Sequence, residues 1–542
     1  MPRSRPAAGL LFACSLLLAA FPAGAQSGQP PASASPAEQA AAVQDQLRQW
    51  AGGLLGPQAA EGLRQLRVTA ETDTLRVTLP LGGMQTGLPG WTLDAAPLEA
   101  TLRPLDGGRW QILSARAPLP LRVQGPAPQH ASRGTSGGAA GGSSSGSSGA
   151  TRAGPAMGTW TLRVDDQKTT GVLDPTLRTA SSFETTLRNL ENHTVTPGEE
   201  QTTRTAGLTA RYGWEPTGPD RLHVFWKASR EGHHVSLRLP QQPRQPQQPQ
   251  QPALELSIAR MEEALSAEDV SFARLGTLLR AVAAVMEAMP RDTQAGHGLP
   301  PGVQDQLRQA VADMPDLLGR FEASAQVHDL AIANVALRGS LAEMDVEAHG
   351  EPTGEGMVRL ALHQTLRGLE SPLIPPAMRD LVPHKLVMAT WAAGLPGREL
   401  SALLARALEK DAPPPSPEAF AALLRRGPLT FGLDAFDFDV GPASVTAHGT
   451  LRMPSTTEFA GTLQIRATGL DALMTRAQND QQLARLVPML AMLKGFGRPQ
   501  GAEMVWDIVA DQGRTLVNGT DLGALIKAAH APQGRRPQER KD

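Results

Sequence analysis

Cysteine and tyrosine are the scarcest residues of this 542-residue chain, one of each, and aromatic side chains make up only 4% of it. A disulfide needs two cysteines and a zinc–thiolate site several, so neither can be built. A thiol nucleophile would have only Cys14, inside the apolar N-terminal stretch. Charge of either sign is not in excess, with 51 Lys and Arg against 53 Asp and Glu. That balance gives no electrostatic footprint for nucleic acid, which is excluded as an expected partner. Past the N-terminus no apolar run approaches the roughly 20 residues that cross a bilayer. No retained transmembrane segment is expected.

The N-terminus carries an export signal. Arg3 and Arg5 precede an apolar run from Gly9 to Phe21, and Ala23, Gly24 and Ala25 give the small-x-small pattern cut by signal peptidase. Cys14 lies ahead of Leu16, Leu17 and Leu18, too early in the apolar core for a lipoprotein box. Cleavage after Ala25 is expected, yielding a periplasmic chain without cysteine. Exported domains often lean on disulfides; this one must rely on core burial.

Two low-complexity segments divide the remainder. "GTSGGAAGGSSSGSSGATRAG" (Gly134 to Gly154) has almost nothing to bury, and "PQQPRQPQQPQQP" (Pro240 to Pro252) reads as an extended spacer. The expected organisation is a signal peptide over 1–25, a flexible start over 26–35, and helix plus antiparallel β over 36–124. A Gly/Ser-rich disordered loop over 125–157, antiparallel β over 158–239 and the Pro/Gln spacer over 240–252 follow. An α+β repeat over 253–410, a Pro-rich break over 411–417, a second α+β repeat over 418–530 and a disordered tail over 531–542 complete the chain.

Period-two alternation dominates the structured parts. Leu75, Val77, Leu79 and Leu81 alternate with polar residues, as do Trp160, Leu162 and Val164, and Val235, Leu237 and Leu239. Each predicts a strand with one dry and one wet face, the mark of antiparallel sheet. Ser35, Pro36 and Glu38 form a capping box opening a helix through about Leu55. Val303, Leu307, Ala310, Met314, Leu317, Leu318 and Phe321 predict a second helical region, kinked or restarted at Pro315.

The chain also matches itself. "VQDQLRQ" occurs at Val43 to Gln49 and at Val303 to Gln309, and Leu330 to Gly350 aligns without gaps on Leu429 to Gly449. Val346, Ala348, His349 and Gly350 fall on Val445, Ala447, His448 and Gly449. The inferred unit is helix, β-hairpin, strand, helix. The fold class expected is α+β, with long antiparallel, curved sheets of amphipathic strands, packed helices and this internal repeat.

"GTLQIRATGLDAL" (Gly461 to Leu473), a Leu-rich helix and "AEMVWDIVADQGRTLVNGTDLGAL" (Ala502 to Leu525) resemble an exported proteobacterial family, domain of unknown function 2125. The likeness carries no activity and gives no residue a role. More remotely, amphipathic strands in long antiparallel sheets resemble AsmA-like and lipid-transfer envelope proteins, whose sheets curl around acyl chains.

A catalytic signature is missing: there is no G-x-S-x-G, G-x-x-x-x-G-K-[ST] or H-E-x-x-H. His233 and His234 are adjacent on a strand and point to opposite faces, so they cannot share a metal. His223 reads as a packed or edge histidine, and the repeat-matched His349 and His448 as wet-face residues. Asp434, Asp437 and Asp439 crowd into "TFGLDAFDFDVG", where alternation slips by one near Ala435. A β-bulge there would restore Phe431, Leu433, Phe436, Phe438 and Val440 to one face and leave the three carboxylates on the other. A calcium loop is excluded by spacing and by the missing Gly and Glu.

Catalytic, metal and cofactor residues are therefore expected to be none. Trp160, Trp226 and Trp506 are candidates for lining a ligand groove, with core filling as the ordinary alternative for an inward aromatic. The reading is a periplasmic, non-enzymatic envelope protein holding a lipid or acyl-bearing molecule in a β-sheet groove. The alternatives are a scaffold for another envelope protein and a hydrolase whose site is assembled from distant residues.

Overall fold

The computed structural model describes residues 35–55, 64–81, 92–116, 119–126, 157–174, 179–196, 199–238, 253–288, 300–317, 319–334, 338–354, 356–409, 416–455, 458–481, 483–511 and 513–523. The expected signal peptide, the Gly/Ser stretch over 127–156, the Pro/Gln spacer, residues 411–415, Trp91 and the C-terminal tail lie outside them. The chain forms two compact units, Met1–Pro300 with Val327–Arg338, and Pro301–Gln326 with Gly339–Asp542. All described strand pairings are antiparallel, as the alternation required.

The first unit opens with α1 (Pro36–Leu55), capped as expected. The Ser35 amide donates to Glu38 Oε2 at 2.7 Å, and the Glu38 amide donates to Ser35 Oγ at 3.4 Å. Then come β1 (Arg67–Ala70), β2 (Leu75–Leu79), β3 (Thr92–Asp94), β4 (Leu98–Pro104), β5 (Trp110–Arg116), β6 (Leu121–Pro126), β7 (Met157–Arg163) and β8 (Asp166–Asp174). Gly125, Pro126 and Met157 thus belong to paired strands and not to the Gly/Ser loop, since β6 and β7 pair out to Pro126↔Met157. Four long strands complete the sheet: β9 (Thr179–Thr196), β10 (Glu199–Gly218), β11 (Arg221–Arg238) and β12 (Leu254–Ser271). At ~3.3 Å per residue each spans about 60 Å, several times the usual strand.

The core of this unit is closed. Ala40, Val43 and Leu47 of α1 pack on Val68, Leu75, Val77, Leu102, Trp110 and Ile112. Gln44 of α1 accepts the Val68 amide at 3.0 Å, so the helix also satisfies a backbone donor of β1. Helix α2 (Phe272–Ala288) follows β12 directly. Its first turn is held by Asp220, whose carboxylate accepts from Ser271 Oγ at 2.8 Å and from the Ala273 amide at 3.2 Å. The division between units falls at Pro300, beyond the spacer, because β12 pairs with β11 from Leu254 to Ser271.

The second unit begins with α3 (Pro301–Asp313) and a 3-10 turn, Met314–Asp316. Here the expectation is corrected: Phe321 does not extend the helix but opens β13 (Phe321–Ala333), whose residues from Val327 onward belong to the first unit, because Pro315 has no amide to continue the ladder. β14 (Arg338–Gly354) and β15 (Met357–Glu370) follow, then a 3-10 turn, Pro376–Leu381, and β16 (Pro383–Pro396) before α4 (Gly397–Ala407). After α5 (Pro417–Arg426), capped by Ser416, come β17 (Leu429–Val440), β18 (Ala443–Met453), β19 (Ala460–Thr468), α6 (Leu470–Asn479) and α7 (Val487–Phe496). The unit closes with β20 (Arg498–Gln500), β21 (Glu503–Asp511), β22 (Arg514–Val517) and β23 (Thr520–Asp521).

The repeat needs the same correction. Helix, two strands and a third strand recur as α3–β13–β14–β15 and α5–β17–β18–β19. The first copy then has β16 where a helix was expected. β16 is rich in Ala but paired on both edges, and those pairings override its helical propensity. The turns do not superpose either: Gly441 and Pro442, between β17 and β18, correspond at the 99-residue offset to Ala342 and Glu343, within β14.

Candidate functional site

Register fixes which side chains share a face of the second unit's sheet. From β15 to β21, Leu366 pairs with Leu386 while Gln364 faces Met388 and Leu362 faces Thr390; Leu386 and Met388 then line up with Phe438 and Phe436, these with Val445 and Ala447, and these in turn with Ala467 and Ile465 and with Met504 and Trp506. One face is therefore a largely apolar band crossing six strands. The other carries Glu343 and Arg367, Lys385 and Asp437, and Gln464 and Asp507, joined in cross-strand pairs.

Among the described residues, the buried apolar cluster on the band lies at its β19–β21 end. Leu470 of α6 and Phe496 of α7 pack there with Ala467, Trp506 and Val517. On β15, β16 and β17 none of the large apolar side chains of this face is buried; Leu360 is 41% exposed and Phe431 39%. Fully burying one such side chain is worth about 1.5–3 kcal/mol.

The expected bulge lies where alternation slips. Leu433 pairs with Gly449 and Phe436 with Ala447, leaving Asp434 and Ala435 opposite one residue of β18. The bulge keeps Phe431 and Leu433 on the apolar side together with Phe436 and Phe438. The three carboxylates fall on the polar side and do not form a metal site. Asp434 accepts from Trp391 Nε1 at 2.8 Å, and Asp437 is held by Lys385. Trp391 lies flat over Gly432, directly opposite on β17, and under the Arg359 guanidinium at 4.9 Å. Among the described residues no cluster of His, Cys, Asp or Glu could hold a metal.

The histidines fall as the strand geometry required. His233 and His234 point apart: His233 is hydrogen-bonded to Thr205 Oγ1 at 3.0 Å, and His234 Nε2 lies 3.0 Å from Glu255 Oε2 on the opposite face. Burial, with Arg230 and His234 nearby, holds the His233 pKa below the ordinary histidine value. His223 bonds Ser266 at 3.0 Å and packs against Phe225. His349 and His448 are both exposed, on the polar face of the sheet.

The three candidate tryptophans are not gathered into one groove. Trp160 is buried with Leu121, Val123 and Leu162, and Trp506 is buried with its Nε1 donating to the Leu493 carbonyl at 2.9 Å. Both fill cores, because each strand turns its aromatic towards a packed layer. Trp226 is half-buried on the inner face of the first unit, between Tyr212 and Leu265, and Leu265 is 40% exposed. Sequence reading missed the donors beside it: Tyr212 Oη and Trp214 Nε1 are buried without an acceptor. Burial pushes the Tyr212 pKa well above the ordinary phenol value. Two shallow depressions of about 330 and 380 Å³ lie on the outer face of this sheet, beside Arg163 and His193 and beside Arg204 and His234. Both are polar.

No helix among the described residues is long and apolar enough to cross a membrane. No protein-family profile, curated protein or solved structure matches the chain.

Proposed function

We propose that this is a periplasmic, non-enzymatic envelope protein that holds a lipid or other acyl-bearing molecule against the apolar sheet face of its second unit. The observation that carries the reading is that largely apolar band from β15 to β21, with its buried cluster at the β19–β21 end and Leu360 and Phe431 exposed at the other. An acyl chain laid across it would take up burial that the protein's own side chains leave unclaimed. The reading is supported by the export signal expected from Arg3, Arg5 and the apolar run Gly9 to Phe21, which would deliver the chain to a compartment where such ligands occur, and by the resemblance to lipid-transfer envelope proteins. In the finer reading, β13–β15 and β17–β19 are two copies of a duplicated unit, extended by β16 in the first, which widens the band.

Native mass spectrometry of the full chain purified from its own envelope, together with titration of a fluorescent long-chain fatty acid, tests this. Bound lipid and saturable binding are expected, with binding lost in the Met388→Asp/Phe436→Asp variant. An empty protein that does not take up the fatty acid would remove the proposal. The second reading is a scaffold whose partner covers the band. It is favoured by the openness of the face, and it predicts a stoichiometric envelope protein in pull-downs from which lipid is absent.

A further inference from the structure

The segment "RLVPMLAMLKGFGR", Arg485 to Arg498, contains three cations and no acidic residue. Its centre is α7, which is apolar on both sides. Inward, Leu490 is buried with Ala477 and Leu483, and Val487 packs on the same cluster. Outward, Met489, Met492 and Leu493 are 48%, 56% and 43% exposed. Their i, i+3, i+4 spacing puts them on one stripe. A helix at the surface of a soluble domain normally turns polar residues outward. Exposed apolar patches of this kind mark binding surfaces.

A second segment brings the same character to the same end of the unit. Leu373, 54% exposed, precedes Met378 and Leu381, which pack in one cluster with Leu486 and Val487 at the start of α7. Two stretches more than a hundred positions apart thus meet in one cluster, and each carries exposed apolar side chains.

The surrounding charges identify the occupant. Asp380 is engaged by Arg476, Asp471 by Lys494, and Asp507 by Arg498. Arg379 and Arg485 have no carboxylate partner among the described residues; the Arg379 side chain donates only to the Ile374 carbonyl. The charges left over beside the stripe are positive. An anionic lipid surface complements both features, since an interfacial helix sinks its apolar stripe about 5–10 Å while flanking Arg and Lys meet headgroups.

We propose that the outer stripe of α7 and the Leu373 loop dock the second unit on an anionic lipid bilayer. This deepens the lipid-binding reading and rests on it for its purpose, which is to bring the open sheet face to a source of acyl chains.

The test is flotation of the full chain with vesicles of phosphatidylcholine alone or mixed with phosphatidylglycerol. The wild type is expected to float with the mixed vesicles. Met489→Asp/Met492→Asp should lower the vesicle partition coefficient roughly tenfold, the equivalent of about 1.4 kcal/mol, with an unchanged circular dichroism spectrum. Because an acidic pair can disturb the inner side of α7, Met489→Ser/Met492→Ser serves as the milder variant and should show the same direction. Arg379→Ser/Arg485→Ser should weaken binding at low salt and matter less at high salt. A wild type that stays at the bottom of the gradient, or stripe variants that float like it, would overturn the proposal. So would concentration-dependent dimerisation abolished by the stripe variants, which would assign the stripe to a second copy. Titration with monomeric fluorescent fatty acid separates the two proposals: uptake without flotation removes the docking surface and leaves lipid binding standing. Flotation without uptake does the reverse.

Discussion

The N-terminal core of the first unit and the apolar band of the second are made of similar alternating strands, yet side chains on the two differ by tens of per cent in exposure. Leu102 and Ile112 are 1% and 2% exposed in the core that α1 covers; Leu360 and Phe431 are 41% and 39% exposed on strands without such a cover. The difference lies in where the helices go. α1 lies along its sheet and even satisfies a backbone donor of β1 through Gln44. In the second unit α6 and α7 pack on one end of the band, and α3 and α4 pack together, with Gln304 donating to the Leu408 carbonyl. An amphipathic strand is neutral about what meets its dry face, and the connecting elements decide it.

The sharpest way to break this comparison is to truncate matched positions. Ile112→Ala should cost about 2–5 kcal/mol, as for a fully buried side chain. Phe438→Ala, on the half-exposed band, should cost much less, under about 1.5 kcal/mol, because little burial and no enclosed cavity are lost. Urea denaturation followed by tryptophan fluorescence measures both, and equal costs would mean that the band is as closed as the core. A smaller effect is expected where the polar side of the band is tightly fitted. At Gly432 a Cβ would collide with the Trp391 ring, so Gly432→Ala should lose about 1–3 kcal/mol from displacement of the indole. Gly432→Ala combined with Trp391→Ala should cost less than the sum of the two singles, as a double-mutant cycle would show.

The smallest effect concerns the first unit and appears only with pH. The folded pKa of His233 lies below its ordinary 6.5, so the unfolded chain binds this proton more readily. The contribution is complete above about pH 6.5 and is lost as pH falls through the folded value. Thermal denaturation from pH 7.5 down to 5 should show the wild type losing stability over that interval. His233→Gln should flatten the decline, and an unchanged slope would assign it to other groups.

What could be read in the sequence follows from the range of each interaction. The capping box at Ser35 and Glu38 is local, and its two reciprocal hydrogen bonds are present. The slip near Ala435 is local too, and the bulge is at Asp434 and Ala435. The opposed His233 and His234 follow from strand geometry alone. β16 was not legible, because Ala389, Trp391 and Ala392 leave it without a clear polar face, and only its two neighbours make it a strand. The open band was not legible for a deeper reason: alternation reads the same whether a helix, a ligand or water lies above it. The three tryptophans illustrate this, since one sequence pattern placed Trp160 and Trp506 in filled cores and Trp226 on a half-open face.

The bulge in β17 has a meaning for how such a sheet tolerates change. A one-residue insertion in a strand ordinarily inverts everything beyond it, turning grease to water and salt bridges to the interior. At Asp434 the surplus residue is instead absorbed as a local protrusion, and its carboxylate serves as the acceptor for the Trp391 indole. The strand thereby carries its own correction of phase. Length can vary at that point without rewriting the hydrophobic code on either side, so a sheet of this kind can grow or shrink by single residues while its two surfaces keep their separate chemistries.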